Sequence, residues 1–310
     1  MDKISLNKKF NNYILMAKDF YLKGNLDMSL QSFKRALNFS CSKEESLSTL
    51  YEIAGIYLQL EDYSNASDNF KQILRLDKNQ EGAYYGLAIS NDARGKDPKT
   101  SIALYKKAID LDADYQEAWY YLALSYDKIC KKEDAIACLK KAISLNTKDH
   151  IALNDLASIY EEMGDYKTAE KYCGMSLKLK NDYGRALYNM GVILKKQGLL
   201  DEAEKYYLRA EKHFDESLVY LNLSALYIEE DNFLKSIQAL DRGIKRYPHD
   251  EKLWYNRACS KCRLGLKGAE EDLLMAFDLN PESLIWAEDD KDLVDIVGVT
   301  YDYYKNRRRN

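Results

Sequence analysis

The sequence predicts an all-α solenoid of stacked helical hairpins, and three observations lead there. A motif of the form small-x-x-x-large-x-x-small occurs eight times: Ser29/Phe33/Ala36, Ala66/Phe70/Ile73, Ser101/Tyr105/Ala108, Ala135/Leu139/Ala142, Ala169/Cys173/Ser176, Ala203/Tyr207/Ala210, Ser236/Leu240/Gly243 and Ala269/Leu273/Ala276. The first members of these triplets are 37, 35, 34, 34, 34, 33 and 33 residues apart, so one unit of about 34 residues recurs along the chain. Upstream of each triplet the apolar residues return at helical spacing, and only 3 prolines occur in 310 residues.

Each unit divides into two helices. In the first, a bulky residue (Tyr13, Leu50, Tyr84, Trp119, Leu153, Leu187, Tyr220, Trp254) is followed four places on by a small one (Ala17, Ala54, Ala88, Ala123, Ala157, Gly191, Ser224, Ala258), with an apolar residue between them in most copies. These positions share one helix face, where large side chains fill space and small ones let two backbones approach. The triplet marks the second helix. Gly24, Gly164, Gly198 and Gly265 fall in the connection, where a left-handed residue ends the first helix. Ser42 and Glu45 have capping-box spacing and open the second unit. Asp97 before Pro98 reads as an N-cap and first turn, and Pro248 and Pro281 follow second helices. In the third unit Asn91 stands where an aromatic is usual and one residue is added, which predicts looser packing. In the eighth unit Arg257 and Lys261 replace apolar residues, as expected of an edge with no following unit. Beyond Pro281, Leu284, Ile285, Leu293, Ile296 and Val297 predict a closing helical segment, with Lys305 to Asn310 frayed.

The segments AWYYLALSYDKICKKEDAIACLKKAISLN (Ala118 to Asn146) and ALYNMGVILKKQGLLDEAEKYYLRA (Ala186 to Ala210) make the chain resemble the tetratricopeptide repeat family from about Phe10 to Pro281. The resemblance implies a right-handed superhelical solenoid whose first helices line a concave groove. The expected organisation is eight repeats starting near 10, 47, 81, 116, 150, 184, 217 and 251, a solenoid over 1–281, and a capping segment and basic tail over 282–310.

If the first helices line a groove, the positions beside their packing stripe face a ligand. One gives Tyr51, Tyr85, Tyr120, Asn154, Tyr188, Leu221 and Tyr255; the next gives Asn189, Asn222 and Asn256. An asparagine amide donates to and accepts from one peptide unit at once, and tyrosine offers apolar area with little rotamer entropy to lose. A bare solvated helix face fits the same pattern. Acidic residues (Asp92, Glu117, Asp127, Asp155, Glu161, Glu162) occupy the middle units, and basic ones (Arg185, Lys195, Lys196, Lys252, Arg263) the sixth and eighth, which predicts that an acidic stretch or free C-terminal carboxylate docks over units six to eight. The candidate peptide-binding set is Tyr120, Asn154, Arg185, Tyr188, Asn189, Lys196, Asn222, Lys252, Tyr255 and Asn256. Trp254 to Leu273 resembles the co-chaperone subgroup that clamps the C-terminal carboxylate of heat-shock proteins. That clamp needs Lys and Asn one repeat earlier, where Leu221 and Ala225 stand, so the full clamp is not expected, and a variant site on Lys252 and Asn256 is left open.

A net charge of -4 gives no overall attraction to nucleic acid or anionic lipid, and the Arg307-Arg308-Arg309 run is too short to change that. The start has no signal-peptide pattern and the chain no run of 18 apolar residues, so a cytoplasmic protein is expected. Six scattered cysteines do not read as a disulfide framework. Cys173 stands at a core position and reads as a small hydrophobe. Cys259 and Cys262 form a lone C-x-x-C within a helix; a zinc site would want four ligands and only His249 lies nearby, and a redox dithiol would want a helix N-terminus at a sheet edge, so ordinary helical cysteines are expected. Three histidines (His150, His213, His249) lie in separate units, so no triad can be assembled. The expectation is a non-catalytic protein- or peptide-binding scaffold (adaptor, assembly factor or co-chaperone) without cofactor or metal. The alternative is a regulator that binds a signalling peptide and changes its affinity for a separate effector.

Overall fold

The computed structural model describes residues 3–307 and is all-α there. Its contacts divide into two compact units, Met1–Lys148 and Asp149–Asn310. The first unit contains α1 (Lys3–Leu22), α2 (Leu26–Leu37), α3 (Lys43–Gln59), α4 (Tyr63–Leu76), α5 (Glu81–Ala93), α6 (Pro98–Leu111), α7 (Gln116–Lys128) and α8 (Lys132–Leu145). The second contains α9 (His150–Glu162), α10 (Tyr166–Leu179), α11 (Gly184–Lys196), α12 (Leu200–His213), α13 (Leu218–Glu229), α14 (Phe233–Arg246), α15 (Glu251–Arg263), α16 (Ala269–Leu279), α17 (Ser283–Glu288) and α18 (Val297–Arg307). Within each unit every odd helix packs on the even helix that follows, and each hairpin packs on the next. Among the described residues no helix is long and apolar enough to cross a membrane.

Every member of the eight triplets is buried. Small residues bring the two helices of a hairpin close enough for side chain to meet backbone: Ser29 Oγ donates to the Ala17 carbonyl at 2.8 Å and Ser101 Oγ to that of Ala88 at 3.4 Å. Cys173 follows the small-hydrophobe reading: it is fully buried, burial pushes its thiol up to about 12, and its sulfur lies 3.1 Å from the Ala186 carbonyl.

All eight hairpins turn in the same way. A left-handed residue stands in each connection: Gly24, Glu61, Gly95, Cys130, Gly164, Gly198, Asp231 and Gly265, with φ between 55 and 79°. The residue after it donates its backbone N–H to the carbonyl five positions back in all eight, from Asn25 to Phe20 through Leu266 to Lys261. That residue is itself the N-cap in six hairpins, and in four of them its side chain, from Asn25, Asp62, Asp165 or Asn232, accepts a backbone N–H of the second helix. The Ser42 and Glu45 capping box forms, and Asp97 caps α6 ahead of Pro98. Asn91 is buried and its Oδ1 lacks a hydrogen-bond partner.

Three expectations need correction. Arg257 and Lys261 are not an open polar edge: their side chains are largely covered and both pair with Asp272, which is itself buried, at 2.6 and 2.7 Å. In the closing segment Leu293 is fully buried, and Leu284, Ile296 and Val297 pack beside it, but Ile285 points into solvent. Lys305 to Arg307 are helical rather than frayed, and Arg307 pairs with Asp278 at 3.0 Å; Arg308 to Asn310 lie outside the described residues.

Candidate functional site

In the second unit the first helices α9, α11, α13 and α15 touch in succession, whereas the second helices make at most marginal contact with one another. The first helices therefore form the closer-packed side of that unit, and nine of the ten sequence-derived site residues lie on them or at their ends. Tyr120 belongs to the first unit, where it is half-buried against Tyr121, ring centroids 5.2 Å apart.

The structure sorts those nine by depth. Asn154 is fully buried: it accepts from Asn189 Nδ2 at 3.0 Å and donates to Asp155 at 3.3 Å. Tyr188 is half-buried, its ring against Phe214, and its hydroxyl accepts from Asn222 Nδ2 at 3.0 Å. Asn222 also donates to the Leu218 carbonyl at 3.0 Å. The expected asparagine ladder is thus in part an inter-repeat tie, Asn154 to Asn189 and Tyr188 to Asn222, with donors already engaged. Tyr255 is buried and its hydroxyl donates to Asp290 at 2.7 Å. Burial raises the phenols of both tyrosines above their ordinary value, the Tyr188 amide contact opposing and the Asp290 carboxylate adding to the rise at Tyr255.

Arg185, Lys196 and Lys252 are exposed, and Asn256 is half-exposed with no hydrogen-bond partner among the described residues. Lys195 and Arg263 are instead held by Glu229 and Asp292, at 3.3 and 3.4 Å. Lys196 faces Glu161, whose carboxyl burial raises above its ordinary value; the lysine opposes that rise and Glu162 adds to it.

A concavity of about 330 Å³ brings Lys252, Tyr255 and Asn256 together with Leu221 and Trp286. Trp286 comes from α17 in the closing segment and stands edge-on to Tyr255, centroids 5.8 Å apart. Its lining combines one aliphatic side chain and two aromatic ones with one cation and one amide that has no hydrogen-bond partner among the described residues. Trp286 and Asp290 escape sequence reasoning because they lie outside the 34-residue register. The other two tryptophans are structural, Trp119 and Trp254 each donating to a carbonyl six residues earlier at 2.9 Å. A larger concavity, about 650 Å³, lies between α12 and α14, but three of its four cations are already paired: Lys235 with Glu204, Arg242 with Glu211 and Arg246 with Asp215.

Comparison with known proteins follows the same lines. Tetratricopeptide repeat models match residues 47–80, 116–149 and 149–216. Bovine (Bos taurus) BBSome complex member BBS4 is 24% identical over 258 residues, covering 82% of this chain and 49% of its own length. TPR repeat-containing protein MJ1428 of Methanocaldococcus jannaschii is 19% identical, covering 89% of this chain and 54% of its own. The chain thus spans about half the length of these curated relatives. A tetratricopeptide repeat protein from Parabacteroides merdae superposes with a TM-score of 0.62 at 14% identity, over 82% of this chain and 99% of that one. With eight buried triplets, eight hairpin connections that share one left-handed residue and one hydrogen bond, and these matches, the chain belongs to the tetratricopeptide repeat family.

Proposed function

We propose that this chain is a non-catalytic scaffold that holds an extended segment of a protein partner, and that the segment's acidic or C-terminal carboxylate end seats at Lys252 and Asn256. The observation that carries this reading is the pocket under Trp286. It is lined by an exposed ammonium, an amide with donor and acceptor uncommitted among the described residues, and the apolar side chains of Leu221, Tyr255 and Trp286, which together suit a carboxylate beside an apolar side chain. Arg185 and Lys196, exposed on the same helices' side of the unit, extend the positive charge toward the sixth repeat. Burial pushes the Cys138 thiol up to about 11 and that of Cys173 to about 12, so neither of these two offers a thiolate. Bovine BBS4 is named for its membership of a complex, in keeping with a partner-holding role for this chain.

The test is a fluorescence titration with peptides that end in an apolar residue, as free acid and as amide, at low and high salt. Binding of the free acid should shift the emission of the half-exposed Trp286 and weaken with salt. Lys252→Glu should reduce affinity at least about tenfold. Lys205→Glu, an exposed lysine on α12, should leave it unchanged. Equal affinity for acid and amide, or equal effects of the two lysine changes, would refute the seat at Lys252.

A further inference from the structure

We infer that the first unit carries a seat of its own, on α3 beside α1, which takes an arginine side chain from an extended segment of a protein partner. A concavity of about 480 Å³ lies there, lined by Tyr21 of α1 and by Ser48, Tyr51, Glu52, Gly55 and Ile56 of α3. Ser48, Tyr51 and Glu52 stand around Leu50 as Lys252, Tyr255 and Asn256 stand around Trp254: two places before, one after and two after the bulky residue of the repeat. The places that offer a cation and an amide in the eighth repeat therefore offer a hydroxyl and a carboxylate in the second. The two seats are independent, and this one stands whether or not the seat at Lys252 does.

Charge and aromatic surface define the occupant. The Glu52 carboxylate is exposed and has no ion pair or hydrogen bond among the described residues, and on α1 Lys23 is already held by Asp19 at 2.7 Å. Tyr51 is fixed in place: its hydroxyl donates to Gln80 at 3.2 Å and its ring stands edge-on to Phe70, centroids 6.4 Å apart. Burial first and the charge of Glu81 on α5 second push its phenol up to about 12, so a further carboxylate acts at the same ring. Tyr21, 46% exposed, supplies another ring. A guanidinium answers the whole set, with forked donors for the carboxylate and a planar face for the tyrosines, whereas an ammonium offers a point charge alone.

Gly55 makes the room. Every other repeat carries a side chain at its place, among them Ile89, Leu124 and Val192. Glycine inside a helix weakens it relative to alanine, and packing does not call for one here, because a Cβ added to Gly55 meets no atom within 4 Å. Gly86 and Gly191, by contrast, are pressed against the rings of Phe70 and Tyr207. Tyr21, Ser48 and Glu52 are all open to solvent, so an isolated side chain would be held on few sides; a segment laid across α3 covers the seat while its arginine fills it.

A nuclear magnetic resonance titration of the isotope-labelled full chain tests this, with a short peptide that is acetylated and amidated at its ends and carries one central arginine and no carboxylate. Such a peptide has nothing to offer Lys252, so its behaviour bears on this seat alone. The amide signals of Glu52 and Gly55 should shift saturably, and the affinity should fall as salt rises. Citrulline in place of the arginine keeps the shape and removes the charge, and should bind at least about tenfold more weakly, as should N-acetylarginine amide alone. Glu52→Gln should weaken the arginine peptide at least about tenfold. Gly55→Leu should abolish its binding while the melting temperature stays at or above that of the parent, since leucine is the better helix former and its Cβ meets open space. No saturable shift at Gly55, equal affinity for the arginine and citrulline peptides, N-acetylarginine amide binding as tightly as the peptide, or parental binding by natively folded Gly55→Leu would each overturn the inference.

Discussion

Asn189 donates its side-chain amide to Oδ1 of Asn154 at 3.0 Å, tying α11 to α9 through a group that is fully buried. Asn189→Ala removes the donor and leaves the Asn154 carbonyl oxygen without that partner beneath the surface. The expected cost is about 1–2 kcal/mol of stability in urea unfolding. Asn222→Ala, which breaks the 3.0 Å contact to Tyr188, should cost less, because the tyrosine hydroxyl is half-exposed and water can replace the amide. Asn256→Ala removes no intramolecular bond and should stay within about 0.5 kcal/mol of the parent. Asn256 is therefore the position at which a loss of partner capture reports on binding rather than folding. If Asn189→Ala melts with the parent, the tie contributes nothing.

Asp272 is a stability determinant of the last hairpin. It takes two contacts from Arg257, at 2.8 and 2.6 Å, and one from Lys261 at 2.7 Å; Arg257 also reaches Asp241 at 2.6 Å. Asp272→Ala leaves two largely covered cations facing one another, at an expected cost of about 3 kcal/mol. The loss should show as faster hydrogen exchange across α15 and α16, with α9 to α12 unaffected. Arg257→Met with Lys261→Met and Asp272→Leu together should recover much of the stability, because no charge is then stranded. A single Asp272→Ala with parental exchange in α15 would show that the cations relax into solvent.

These two sites mark where the sequence stops being legible. The triplets can be read because every repeat applies the same packing demand at the same spacing, and the demand for a left-handed residue could be inferred from the four glycines alone. Arg257 and Lys261 invite the wrong reading because their compensating charge lies up to 15 residues on, at a second-helix position where other repeats carry Ser32, Leu104 or Ala239 and where no pattern marks a carboxylate. Asn154 occupies a column otherwise filled mostly by tyrosines; being shorter it lies below the surface, and the neighbouring Asn189 covers it. Trp286 and Asp290 have no repeat register to place them, so the aromatic wall of the pocket emerges from coordinates alone.

The hairpin connections yield a further prediction. Glu61, Cys130 and Asp231 hold φ of 57, 57 and 55°, at the position that glycine fills in the other five connections. An L-residue there carries about 1 kcal/mol of strain, and glycine removes it while giving back part of the gain as unfolded-state entropy. Cys130→Gly, at an exposed site, should stabilise the first unit by about 0.5 kcal/mol in urea unfolding. The reverse change at Gly164, φ 79° with open space around an added Cβ, should cost about 1 kcal/mol through conformation alone. Loss of stability in Cys130→Gly would mean that the cysteine side chain, not the backbone, sets the energy of that turn.

Glu161 links the second unit's stability to pH with a sign opposite to that of the N-cap aspartates. Hydrogen bonds from Thr168 hold Asp165 below its ordinary value, so its contribution is present above that value and fades as the pH falls through the lowered one. Burial raises Glu161, Glu162 adds to the rise, and Lys196 opposes it, so the folded chain binds the proton more tightly than the unfolded chain does. Its contribution is fully present below about pH 4.5, the ordinary value, and is lost as pH rises through the raised one. Glu161→Gln should therefore gain on the parent between pH 4.5 and 7, by less than about 1 kcal/mol because the side chain remains half in water. Lys196→Met should move Glu161 further up and widen that gain, since it removes the cation that favours the ionised form. Urea unfolding of the parent and both variants at pH 4, 5, 6 and 7 reads the effect directly. A Glu161→Gln difference that stays constant across the four would show that packing, not ionisation, distinguishes the two side chains.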